Sequence, residues 1–171
     1  SNFANYKIKG SGAADWLNAL IANTAPSEIG RSCLTPLIGA RGGVAGDFTV
    51  TKVADDDYMM VGSGMAERYH QRFFKMVELP TGTTFKAKTD DICGYNVAGP
   101  QSRALLERLT NADFSNENFR FMRSKTIEVA GVECLAIRVS FTGDLGWELH
   151  CAVDDQARLY KLGRASCSVR A

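Results

Sequence analysis

The sequence predicts an α+β fold built on a mainly antiparallel sheet with flanking helices. Three observations predict it. β-rich runs come in pairs joined by short polar or glycine turns, as hairpins do. Stretches with apolar residues at helical spacing are inserted between those pairs. The chain has 171 residues, 45% hydrophobic and 23% charged, enough for one well-packed domain, with room for a smaller lobe.

Taken in order, residues 15–22 (DWLNALIA) repeat apolar residues at helical spacing, with Gly12 as a turn before them. Residues 47–53 (DFTVTKV) alternate and are β-rich, the acidic run at 54–58 turns, and 58–64 (YMMVGSG) return, which makes a hairpin. Residues 65–79 read as an amphipathic helix ended by Pro80. Residues 84–100 (TFKAKTDDICGYNVAGP) supply one or two strands, stopped by Gly99-Pro100. A helix is expected over 101–109 and a polar loop over 111–118. Residues 124–140 (SKTIEVAGVECLAIRVS) are two strands joined at Ala130-Gly131, and 147–153 (WELHCAV) are another. A helix begins near Asp154, a plausible cap. The apolar period gives out after Leu162, so the expected layout is a domain over 1–162 and an irregular tail over 163–171.

Composition excludes several classes. A net charge of +1 makes no electrostatic case for nucleic acid or a membrane surface. No apolar run approaches a membrane-spanning helix, and no basic-then-apolar signal pattern opens the chain, so it reads as cytoplasmic. The cysteines Cys33, Cys93, Cys134, Cys151 and Cys167 form no C-x-x-C pair, and those within apolar runs read as small core residues. His70 and His150 have no metal-ligand spacing, so no metal site is expected. The strings GSGAAD and GSGMAE lack the third glycine of a dinucleotide loop, and the first follows no convincing buried strand. Neither an NAD nor an FAD site is expected.

Two segments stand out: Arg41 to Thr51 (RGGVAGDFTVT) and Arg138 to His150 (RVSFTGDLGWELH). Each sets a carboxylate beside a glycine-rich turn and then runs along an apolar strand, which holds the carboxylate in a fixed position. The alternative is a pair of ordinary hairpin turns with polar residues at the strand ends.

These motifs, with the strand–AGP–helix stretch DICGYNVAGPQSRALLERLT and the opening SNFANYKIKGSGAADWLNALIAN, resemble the folate-binding aminomethyltransferase family. That family includes the glycine cleavage T-protein and the folate domains of dimethylglycine and sarcosine dehydrogenases. The likeness runs over 1–162 and is closest to the dehydrogenase branch. It implies a T-protein-like fold, tetrahydrofolate as cofactor, and transfer of a methylamine-derived methylene unit to give 5,10-methylenetetrahydrofolate. Alternatives are a tetrahydrofolate-dependent demethylase and a non-catalytic folate-binding or scaffolding module.

Residue by residue, the resemblance makes Asp47 the general base or charge stabiliser, buried near the reacting amine. Glu148 would face the pterin, its carboxylate accepting the ring's planar pair of donors. Phe141 stands where many relatives have tyrosine, and Phe121 is a second candidate wall of the pocket. Leu34 replaces another family tyrosine. Val61, Gly62 and Ser63 would lend backbone contacts to folate. The implied partners are folate, a methylamine-type substrate, a C-terminal domain and an FAD amine-oxidising domain, so the chain is expected to be a piece of a larger protein.

Overall fold

The computed structural model describes residues 3–167, and they fall into two compact units, Ser1–Thr89 and Asp90–Ala171. In the first, the elements are β1 (Phe3–Lys9), α1 (Ala13–Leu20), β2 (Ser32–Ile38), β3 (Val44–Ala54), β4 (Asp57–Ser63), α2 (Glu67–Phe74) and β5 (Thr84–Ala87). They form a five-stranded sheet in the order β2-β3-β4-β1-β5, paired antiparallel throughout. In the second, β6 (Ile92–Ala98), α3 (Ser102–Glu107), β7 (Ser124–Val129), β8 (Val132–Ile137), β9 (Gly146–Ala152) and α4 (Gln156–Cys167) give a four-stranded antiparallel sheet, β6-β9-β8-β7.

The first core gathers on one sheet face. Tyr6, Ile8, Phe48, Val50, Tyr58 and Met60 pack there with Trp16 and Leu17 of α1 and Phe74 of α2. Strand β1 is the correction to the expectation that no buried strand precedes GSGAAD. Ala4, Tyr6 and Ile8 are fully buried and alternate with Asn5, Lys7 and Lys9, a period of two diluted by polar residues. The glycine string that follows serves packing. A Cβ on Gly10 would stand 2.2 Å from the Gly82 carbonyl oxygen, and one on Gly12 would stand 2.6 Å from Pro80 Cβ.

Strand β2 has no counterpart among the sequence expectations, because Pro36 lies in its middle. It is an edge strand, where a residue without an N–H is tolerated. The Pro36 carbonyl accepts from the Ala22 N–H at 2.9 Å. Helix α2 ends at Phe74 rather than Leu79. Beyond it the chain tightens into short turns, and the Val77 carbonyl accepts from Trp16 Nε1–H at 3.2 Å.

His70 on α2 is 2% exposed, its Nδ1 3.3 Å from the Tyr6 hydroxyl and its ring 4.6 Å from that of Phe48. Burial holds its pKa below the ordinary 6.5, although Glu67 pulls the other way. Burial also pushes the Tyr6 phenol up, so it stays protonated beside the imidazole. The unfolded state therefore binds the proton more readily than the folded one. This contribution to stability is fully present above the unfolded pKa of about 6.5 and is lost as pH falls below it. The urea midpoint should drop between about pH 8 and about pH 5, and less so in H70Q; equal drops in both would assign the acid sensitivity elsewhere.

The second core centres on Trp147, fully buried, with Phe114, Phe119, Leu106, Leu149 and Leu159. Phe114 anchors the loop expected from sequence to be merely polar, its ring 5.1 Å from Trp147 and edge-on. The β7–β8 hairpin turns where expected. Ala130 and Gly131 both take positive φ, 52° and 76°, the twist a two-residue hairpin needs. Cys93, Cys134 and Cys151 are buried free thiols in this core, and burial pushes Cys134 up to about 12 and Cys151 to about 11.

Asp154 lies in a 3-10 turn, Val153–Asp155, that leads into α4. The helix runs on to Cys167, which corrects the expectation of irregular chain from 163. Extending a formed helix adds a backbone hydrogen bond per residue, and Gly163 costs only about 1 kcal/mol against that. Residues 168–171 of the expected tail lie outside the described residues.

Candidate functional site

Asp47 lies within β3, after a hairpin closed by the Gly39 N–H donating to the Gly43 carbonyl and the Gly42 N–H to the Gly39 carbonyl, with Gly42 at φ 79°. A register shift between Leu37 and Ile38 leaves Ala45 unpaired just before it, re-aiming the strand at this point. The next residue, Phe48, is 1% exposed and fixes the strand. Its ring lies across two glycines. A Cβ on Gly46 or Gly62 would come within 2.7 Å or 2.6 Å of ring carbons. Because side chains alternate along a strand, burying Phe48 turns Asp47 to the opposite face, where it is exposed. The expectation of a buried Asp47 is thereby corrected: its place on the strand is fixed but the carboxylate is open.

Val61, Gly62 and Ser63 close β4 in the same unit. Val61 pairs with Thr49, and two residues along, Ser63 falls on the Asp47 face. Val61 is 4% exposed, while Ser63 is open. Leu34, opposite Thr49 on β2, is exposed. G62A is expected to cost about 1–3 kcal/mol, because the Phe48 ring is boxed in by Tyr6, His70 and Phe74 and cannot move aside. Chemical denaturation measures it, and an unchanged midpoint would mean the ring is free to shift.

Glu148 is on β9, the strand flanked by β6 and β8, opposite Asn96 and Ile137. Trp147, Leu149 and Cys151 take the core face, so Glu148 and His150 share the other one. Glu148 is only 8% exposed and is not the open strand residue its sequence context allows. Its Oε2 lies 3.3 Å from His150 Nε2. Its Oε1 has no partner among the described residues and is not among the atoms sealed from solvent. In the tautomer with the proton on Nε2, His150 donates to this oxygen, and Oε1 keeps full acceptor capacity.

The connection leading into β9 is tied down. The Leu145 carbonyl accepts from the Gly99 N–H at 2.8 Å and the Ser102 hydroxyl at 2.9 Å. The AGP turn and the Thr-Gly turn, separate motifs in sequence, therefore form one structural unit. Thr142 donates to Asp144 at 3.0 Å, and Gly143 takes φ 80°. Phe141 is 87% exposed and Phe121 63% exposed. The segments carrying them are joined by the Met122 N–H donating to the Arg138 carbonyl at 3.0 Å. Both rings are exposed and are not core residues.

The structure thus groups Asp47 with Val61–Ser63 in the first unit, and Glu148 with Phe121 and Phe141 in the second. It adds His150, which sequence reasoning weighed only as a metal ligand. The signal was present: two polar residues, i and i+2, on an apolar strand must share a face. Among the described residues there is no cluster of His, Cys, Asp and Glu able to hold a metal ion, and no helix long and apolar enough to cross a membrane.

Two antiparallel sheets with a few helices make the fold of an aminomethyltransferase-type domain. The chain belongs to the family described as GCVT N-terminal domain, which matches residues 1–165. Among its relatives, human mitochondrial dimethylglycine dehydrogenase is 31% identical over 162 residues, covering 94% of this chain and 19% of that protein. An aminomethyltransferase from Anoxybacillus flavithermus is 29% identical over 163 residues, covering 94% and 44%. The crystal structure of glycine cleavage system aminomethyltransferase T from Bartonella henselae superposes with a TM-score of 0.80 at 19% identity, over 95% of this chain and 43% of that one. The chain thus spans about a fifth of the dehydrogenase and under half of the aminomethyltransferases it matches.

Proposed function

We propose that this chain is a tetrahydrofolate-binding one-carbon transfer domain acting on a methylene unit from a methylamine such as dimethylglycine or sarcosine, or from glycine cleavage. The observation that carries the reading is Glu148: a carboxylate 8% exposed, on the face opposite its unit's core, with one oxygen held and one free. That arrangement fits a ligand offering a planar pair of N–H donors, as a pterin does. Bound tetrahydrofolate supplies the nitrogens that accept the one-carbon unit to give 5,10-methylenetetrahydrofolate.

The chain's own residues would do the rest. Glu148 binds and orients, and a polar ligand lacking the matching donors is rejected because a buried carboxylate is left unpaired. Asp47, held on β3 by the Phe48 anchor, takes a proton from the attacking amine. In the first unit, main-chain groups at Val61, Gly62 and Ser63 are candidate folate contacts; in the second, taken by itself, the open rings of Phe121 and Phe141 are. An FAD amine-oxidising domain and a further C-terminal domain are the proposed partners. The exposure of Asp47 favours a second reading, a folate-binding module without catalysis, because an open carboxylate keeps its water.

Titrating the chain with tetrahydrofolate in a calorimeter tests binding. Weak or undetectable heat is expected from these residues alone and saturable heat once the C-terminal domain is supplied; no heat in the assembled protein would overturn the reading. Supplying formaldehyde or a methylamine donor then separates catalyst from binder.

A further inference from the structure

In the reading above His150 does no more than contact one oxygen of Glu148. It is 4% exposed, it points to the Glu148 face of β9, and its other ring nitrogen, Nδ1, is sealed from solvent without a partner. Its cross-strand neighbours are Gly94 on β6 and Leu135 on β8, neither of which offers a side-chain hydrogen bond. The Nε2 contact with Glu148 Oε2, at 3.3 Å, is therefore the imidazole's only polar contact among the described residues. A buried polar ring is expensive to keep unless that contact matters.

The terminal torsion of a glutamate is broad, so an unheld carboxylate can present its two oxygens in many planes. A donor fixed to Oε2 removes that freedom. It still leaves a lone pair on Oε2 and all of Oε1 for a ligand.

We infer that His150 is a positioning residue, whose Nε2–H sets the plane in which the Glu148 carboxylate meets a ligand with two coplanar N–H donors. This rests on the reading of Glu148 as the pterin carboxylate. Orientation matters most when both donors are present. Losing it should cost more for tetrahydrofolate than for a reduced pterin lacking the 2-amino group.

The test compares H150L, H150Q and E148Q in the assembled protein, titrated with tetrahydrofolate and with its 2-desamino analogue. H150L should weaken tetrahydrofolate by about three- to tenfold and the analogue by less, so that discrimination between them shrinks. H150Q, whose amide N–H can reach the same oxygen, should restore the discrimination. Unchanged discrimination in H150L, with E148Q weakening both ligands, overturns the positioning role alone. No effect of E148Q overturns the pterin reading and this inference with it. Nitrogen NMR of the unmutated chain gives an independent check, since Nε2 must carry the proton at neutral pH. The Nδ1–H tautomer would rule the contact out.

Discussion

Glu148→Gln should weaken tetrahydrofolate binding by about 2–4 kcal/mol. The substitution keeps the shape but turns one acceptor oxygen into a donor. Oε2 already faces the His150 N–H at 3.3 Å. If the amide oxygen stays there, the new NH2 points at the ligand's donors; if it turns outward, the NH2 meets His150. The first arrangement opposes two donors at the ligand; the second does so at His150 unless the imidazole shifts its proton to Nδ1, which is sealed without a partner. Unchanged affinity by calorimetry would remove Glu148 from the site. A loss of fold, visible as a lowered unfolding temperature, would make it structural instead.

Asp47→Asn should lower folate-dependent turnover by roughly a hundredfold or more, with folate affinity changed much less. The amide is isosteric but cannot take a proton. Since the Phe48 ring and its two glycine contacts hold the strand, the side chain's position should survive. The assay needs the assembled enzyme with its supply of activated one-carbon unit. If affinity collapses while the rate at saturation holds, Asp47 is a binding residue. If neither moves, its exposure reflects an ordinary solvated strand position.

Much of the fold was legible because short-range chemistry decides it. The turn at Ala130-Gly131, the β3–β4 hairpin and the helices near residues 15 and 103 follow from period and turn residues. Strands β1 and β2 were not legible. In β1, Asn5, Lys7 and Lys9 thin the alternation although Asn5 is only 1% exposed; in β2, Pro36 argues against a strand unless its edge position is known. Helix α2 stops at Phe74, and the Val77 carbonyl beyond it accepts from Trp16, distant in sequence.

For the site, the two motifs determined by themselves which carboxylates to watch, and the family followed from their order along the chain. What only the tertiary structure decided is each carboxylate's environment. A one-residue alternation puts Asp47 on an open face and Glu148 on a closed one, and nothing in either motif says which face will be covered. The same holds for His150. Its spacing from Glu148 dictates a shared face, but burial of that face makes the contact matter, because a hydrogen bond in water competes with the solvent and a sealed one does not.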